Sequence, residues 1–290
     1  MTKALSFLLF MMYWAKAWAE PPKPLLWQVS DKDNSVYLLG SFHMLKVDDY
    51  PLAAVVDQIF DESRKIYFEV SPDDLNDAGL VKKMMETGYL KGRTLEQILK
   101  PKTWRQLVNY CNANQLPIET FKTMKPWLAA MTIANIEIAK AGFLPDLGLD
   151  KHYMEIARIA KKETEGLETL SQQFSIFDQM DQKTQAKFLS LTLDEAQDFK
   201  DLKELHRRWR NGDDEGLMQL LSKDSINQIP EFYRHINVER NRAWLPKIVS
   251  FLQENSEVNA LVVVGSLHLL GTEGLVDILR RQGLRVVRVQ

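Results

Sequence analysis

An apolar run ending in Gly-Ser-x-His is written twice in this chain, as YLLGSFHML at 37–45 and as VVGSLHLLG at 263–271. A glycine after an apolar run lets a strand turn sharply as it leaves a sheet. A histidine three residues later then stands in the loop, at the strand's carboxyl end. Each copy also has the same sequel. After the first, Leu52, Val55, Val56, Ile59 and Phe60 mark an amphipathic helix, with Pro51 suited to its first turn. The run KIYFEV follows as a strand, with Glu69 near its carboxyl end on the face away from Ile66 and Phe68. After the second, Thr272 is placed to cap a short helix carrying Leu275, Ile278 and Leu279. Gly283 ends that helix, and Arg285 to Val289 is a last strand. Strand–helix–strand units favour parallel pairing and collect their loops on one sheet edge. If both units share a sheet, His43 and His268 share an edge.

The first copy is preceded by a hairpin, Leu25 to Ser30 and Ser35 to Leu39, joined by the turn formers Asp31-Lys32-Asp33-Asn34. Between the two units, about 73–256, the pattern is almost wholly helical. One helix starts at Pro126, another runs through Leu149, Tyr153, Ile156 and Ile159, and Ile229 to Leu252 reads as one long helix. The short run Glu165-Gly166-Leu167-Glu168 is able to slip back into the sheet. The expected fold is therefore α/β: a central mixed sheet built from the two terminal units, with a large helical middle insertion. Residues 20–290 are expected to form a single domain, since no low-complexity linker divides them.

The first nineteen residues, MTKALSFLLFMMYWAKAWA, have a positive start, an apolar core and the small-x-small pattern Ala17-Trp18-Ala19. They read as a signal peptide, too short to span a bilayer comfortably. The expected protein is exported, periplasmic or secreted, with no stable membrane anchor. Cys111 is the one cysteine, so the core must hold without an intramolecular disulfide, and its setting LVNYCNANQLP suggests an inert thiol at a helix end. Net charge is −2, and no stretch concentrates Lys and Arg as a nucleic-acid partner requires. The most basic patch, His206 to Arg210, reads as a solvated helix face.

Two imidazoles and a carboxylate at one sheet edge make a candidate metal centre of His43, His268 and Glu69. Neutral imidazole suits Zn, Mn, Fe or Co, and the carboxylate lowers the charge while leaving positions for water. Such an ion activates water and polarises a carbonyl, as amide or ester hydrolysis needs.

Several stretches, in order along nearly the whole mature chain, resemble the TraB/GumN family: YLLGSFHML, YFEV, KPW at 125–127, GLD at 148–150, LETLSQQ at 167–173, ERN at 239–241 and VVVGSLHLLG. That resemblance implies a Tiki-like active site of His43, His268 and Glu69, Mn or Co as the favoured metal, and a metal-dependent peptidase acting on a peptide or small ester. Ser41 stands where many relatives have Thr, which keeps the hydroxyl. Of the other matching motifs, Arg240 is expected to clamp a substrate carboxylate or a developing oxyanion, or else to hold Glu239 or a helix end. Asn241 is expected beside it toward the substrate, with Glu168 and Gln173 lining the same cleft. Trp127 reads as core packing, Asp150 as a helix-capping residue, and His152, His206 and His235 as surface or core. Two alternatives stay open. One is a metal-independent esterase with a histidine as general base and Glu69 orienting it. The other is a haem- or peptide-binding protein without activity, as ChaN-like relatives suggest.

Overall fold

The computed structural model describes residues 20–196, 200–222, 227–254 and 257–289. The expected signal peptide lies outside the described residues. Six strands, β1 (Leu25–Ser30), β2 (Ser35–Ser41), β3 (Ser63–Val70), β4 (Glu163–Glu168), β5 (Asn259–Gly265) and β6 (Arg285–Arg288), form one mixed sheet. Its order is β4-β3-β5-β2-β1-β6. The hairpin β1–β2 pairs Ser30 with Ser35 at its turn. Both β2 and β3 pair in parallel with β5, so the strand near the carboxyl terminus lies between the two strands of the amino-terminal unit. The two GSxH strands are thus direct neighbours, with Gly40 opposite Val264 and Ser41 opposite Gly265. As expected, their loops leave the same edge.

β5 is covered on both faces, which is why it reads ALVVV without alternation. The sheet core gathers Leu38, Leu39, Ile66, Phe68 and Val262, closed over by Trp244, Ile248 and Phe251 of the helix Glu239–Gln253. The helical middle builds a second apolar cluster of its own. It joins Leu107 and Cys111 of the helix Pro101–Ala113, Trp127 and Ile133 of Pro126–Lys140, and Leu189 of Gln182–Glu195. From this region β4 returns to pair with β3 in parallel, as its sequence allowed.

Several local expectations need correction. The first helix is Ala54–Glu62, starting three residues past Pro51, because Ala53 at its cap is still extended. The last helix, Leu275–Arg281, is entered from Gly274. Thr272 sits instead in a turn closed by Gly274 N–H on Gly271 O. β6 does not lie beside β5; it pairs antiparallel with β1 at the far edge. The long helix expected from Ile229 to Leu252 contains a π-helical segment, Arg234–Val238, ahead of Glu239–Gln253. Finally, the basic patch is a solvated face only in part: Arg207 is exposed, while His206, Trp209 and Arg210 turn inward. Asp49 is a buried carboxylate that needs donors. His206 Nε2 meets both its oxygens at 2.9 and 3.0 Å, and Arg210 joins Oδ1. Trp209 Nε1 donates to Gly40 O at 3.0 Å, so the helix Lys200–Arg210 pins the first GSxH loop.

Candidate functional site

The chain leaves β2 at Ser41, and the loop that follows is fixed from outside the sheet. Leu149 N–H donates to Phe42 O, docking the start of the helix Leu149–Ala160 on the loop. Asp150, in that helix's first turn, accepts from Ser41 Oγ at 3.1 Å, and its Oδ2 lies 3.2 Å from His43 Nδ1. The His43 side chain is half exposed. Desolvation works against its charged form, but Asp150, supported by Glu69, outweighs this and lifts its pKa to about 9.

The second histidine has a different setting. His268 lies in the 3-10 turn Ser266–Leu269 and is 5% exposed. Its Nδ1 is 2.7 Å from Asn241 Oδ1. The Asn241 amide donates to the carbonyls of His268 and Glu273, at 3.1 and 2.7 Å, which fixes Oδ1 as the atom facing the ring. His268 Nδ1 therefore carries the hydrogen and Nε2 the lone pair. Burial and then the Arg240 charge push its pKa down to about 3, so the ring is neutral. Trp244 packs on it with ring centres 4.4 Å apart.

Glu69 stands between the two rings at the end of β3. Its Oε1 accepts from Gly265 N–H at 2.7 Å and lies 3.9 Å from His43 Nε2 and 3.8 Å from His268 Nε2. A Cβ on Gly265 would come within 2.9 Å of His43 Nε2 and 3.3 Å of Glu69 Oε1, so the glycine keeps this space open. Glu69 Oε2 accepts from Arg240 Nη2 at 2.5 Å and from Gln173 Nε2 at 3.3 Å. Burial alone would raise the Glu69 pKa. Arg240 first, with His43 and the Gly265 N–H, overcomes it and holds the carboxyl well below the usual range. Glu69 is thus an anion and not a proton donor.

Arg240 knits the far side together. Nε and Nη2 donate to Glu168, Nη2 also to Glu69, and Nη1 to Ile236 O and to His268 Nε2, both at 3.0 Å. Burial, and Glu69 behind it, raise the Glu168 pKa against the pull of Arg240. A guanidinium has five N–H bonds, and here all five have partners within the chain.

His43, His268, Glu69, Arg240, Glu168 and Gln173 therefore form one connected cluster. Two expected roles do not fit their surroundings. Asn241 is fully buried with its amide and carbonyl engaged, so it orients His268 and does not face a substrate. Arg240, as placed, has no N–H free for a substrate carboxylate or an oxyanion. Asp150, expected as a helix-capping residue, instead turns its carboxylate to Ser41 Oγ and His43 Nδ1.

The cluster's fit to a divalent ion can be judged from its donors. Among the described residues, no three His, Cys, Asp or Glu side chains are drawn together closely enough to enclose an ion. Two ligands of a tetrahedral ion, each about 2.1 Å from it, stand about 3.4 Å apart. The separations of 3.8 and 3.9 Å from Glu69 Oε1 are a few tenths of an ångström longer, so the rings must draw in to share an ion. Donor types fit, and three carboxylates, Glu69, Glu168 and Asp150, outnumber the one guanidinium. Two things stand in the way: Arg240 Nη1 occupies the His268 lone pair, and the raised pKa of His43 keeps a proton on that ring. The donor types suit a divalent ion, and holding one needs that hydrogen bond exchanged, the His43 proton released and the three side chains drawn closer.

The family model of the TraB/PrgY/gumN family matches residues 25–288, and the chain belongs to that family. No curated protein and no solved structure matches it.

Proposed function

We propose that this TraB/PrgY/gumN protein is an exported metal-dependent hydrolase of the peptidase kind, with His43, His268 and Glu69 holding a divalent cation, Mn or Co before Zn or Fe. The observation that carries the reading is the convergence of both imidazole Nε2 atoms on Glu69 Oε1, across a gap that Gly265 leaves open. A cation there would activate water and polarise the scissile carbonyl. The rest of the chemistry belongs to the chain. Asp150 and Asn241 take the Nδ1 sides of the two rings, so both Nε2 atoms face the gap. Gly265 N–H and Arg240 aim Glu69 and keep it ionised. In this reading the cation takes His43 Nε2 while Asp150 accepts from Nδ1, so His43 acts as an oriented ligand and not as the proton carrier.

A second reading is favoured by Arg240 on the His268 lone pair. In it no metal takes part, His43 Nε2 accepts the proton of the attacking water, and Asp150 stabilises the imidazolium. Metal analysis of protein purified without chelator, with a peptide-library cleavage screen before and after chelation, separates the two. One ion per chain and hydrolysis abolished by chelator are the expected results. Undiminished hydrolysis in chelator selects the metal-independent mechanism. Export is tested separately: amino-terminal sequencing of native mature protein should begin at Glu20.

A further inference from the structure

We infer that Arg240 is a built-in stand-in for the cation, holding the site together when no metal is bound and competing with metal for His268. The inference rests on the metal reading above and adds a residue that sets how tightly the ion is held. Glu69 and Glu168 are 13% and 8% exposed at their side chains, and Arg240 11%. Two carboxylates so buried are costly without a counter-charge, and Arg240 is the cation hydrogen-bonded to both. The same guanidinium reaches the lone pair on His268 Nε2, which Asn241 keeps free of hydrogen. An imidazole lone pair accepts an N–H or a metal, never both at once.

The two occupants therefore exclude each other at His268. They also repel, since both are positive and would lie within a few ångströms in a buried setting. Metal entry displaces Nη1 from the ring while Nη2 and Nε keep their carboxylates. One N–H is thereby released into the cleft, the donor that Arg240 otherwise lacks. Stacking of the guanidinium on Trp244, at 4.6 Å, keeps it at the site in either arrangement.

The test uses the mature chain as wild type, Arg240→Gln and Arg240→Lys, each stripped by chelator and titrated with Mn(II) and Co(II) by calorimetry. Thermal midpoints are recorded with and without each ion. Arg240→Gln should bind metal at least about tenfold tighter than wild type, because one nearby positive charge has gone. Stripped, it should unfold at a lower temperature than wild type, and saturating ion should recover the loss. Arg240→Lys, which keeps the charge, should fall between the two in affinity. Should stripped Arg240→Gln fail to fold, it is refolded with Mn(II) and its affinity read by competition against a chelator. Wild type that binds metal while Arg240→Gln binds no tighter overturns the inference alone. Failure of all three proteins to bind either ion overturns the metal reading and the inference together.

Discussion

The two GSxH loops begin from the same letters at the same sheet edge and end in opposite chemical states. His43 is half exposed and backed by a carboxylate, whereas His268 is buried and backed by a carboxamide. Their glycines differ as well. A Cβ on Gly40 would stand 2.9 Å from Leu25 Cβ, inside the sheet core, whereas one on Gly265 would fill the space between His43 and Glu69. The shared motif therefore delivers a histidine to an edge, and the partner arriving from a distant helix decides what that histidine does. Asp150 lets His43 carry a proton; burial and Arg240 deny one to His268, while Asn241 fixes which nitrogen keeps the hydrogen.

The largest effect should come from removing the rings. His43→Ala and His268→Ala should each cut metal affinity and hydrolysis by more than about a hundredfold, beyond what outer partners cost. The double variant should be little worse than either single, as for residues acting as one unit. Metal per chain and initial rates check this, and full occupancy in both single variants would remove the metal site.

The partners come next. Asp150→Asn should lower activity about 10–100-fold with little change in thermal midpoint. It should also bring the His43 pKa down, read by NMR titration. Asn241→Asp should behave differently, because the new side chain cannot donate to the carbonyls of His268 and Glu273. Each buried carbonyl left without a donor costs about 1–3 kcal/mol, so this variant should lose stability as well as function. Equal losses of stability in the two variants would break the contrast between the loops.

The glycines give a smaller and cleaner separation. Gly40→Ala should cost about 1–3 kcal/mol of stability by overpacking against Leu25 and Ser266, with a smaller loss of metal affinity per folded molecule than Gly265→Ala. Gly265 has φ −53° and ψ 138°, which alanine adopts readily, so Gly265→Ala should fold normally and lose metal affinity. Denaturant unfolding and calorimetry on both variants decide the matter.

The smallest effects concern pH, measured in chelator. His43 holds its proton more tightly folded than unfolded. Its contribution is fully present below its ordinary pKa of about 6.5 and fades as pH rises toward about 9. Half exposure makes that limb shallow. His268 refuses its proton when folded, so stability falls as pH drops from about 6.5 toward about 3. His43→Gln should flatten the alkaline limb of the midpoint curve, and His268→Gln the acidic one. The reverse assignment would exchange the roles given to the rings.

The sheet was legible because its strands have simple signatures: continuous ALVVV for a doubly covered strand, and a hairpin closed by turn formers. Glu69 was legible too, since period-two alternation places it opposite Ile66 and Phe68. Asp150 was not, because a first-turn carboxylate suits helix capping just as well, and nothing local reveals that its helix docks on residues more than a hundred positions earlier. The same holds for Arg240 and Asn241, adjacent in sequence yet turned to different tasks, one bridging carboxylates and the other fixing a tautomer. The inward turn of His206 and Arg210 depends on Asp49, a charge that reads as solvent-facing until it is seen to be buried. Periodicity reports which face is apolar; it does not report which polar group will be caught beneath it.

The position of β5 has a consequence for the order in which the molecule can be made. Sheet neighbours on both sides of it, β2 and β3, are synthesised some two hundred residues earlier, yet neither pairs with the other. A chain that ends before Asn259 holds two sheet fragments, β1–β2 and β3–β4, with no common edge. It also lacks His268 and the Gly265 amide that aims Glu69. Closing so long an interval is entropically expensive and slow relative to local pairing. The segment from Asn259 through His268 acts as a keystone, and a chain that stops short of it has neither a continuous sheet nor a complete site.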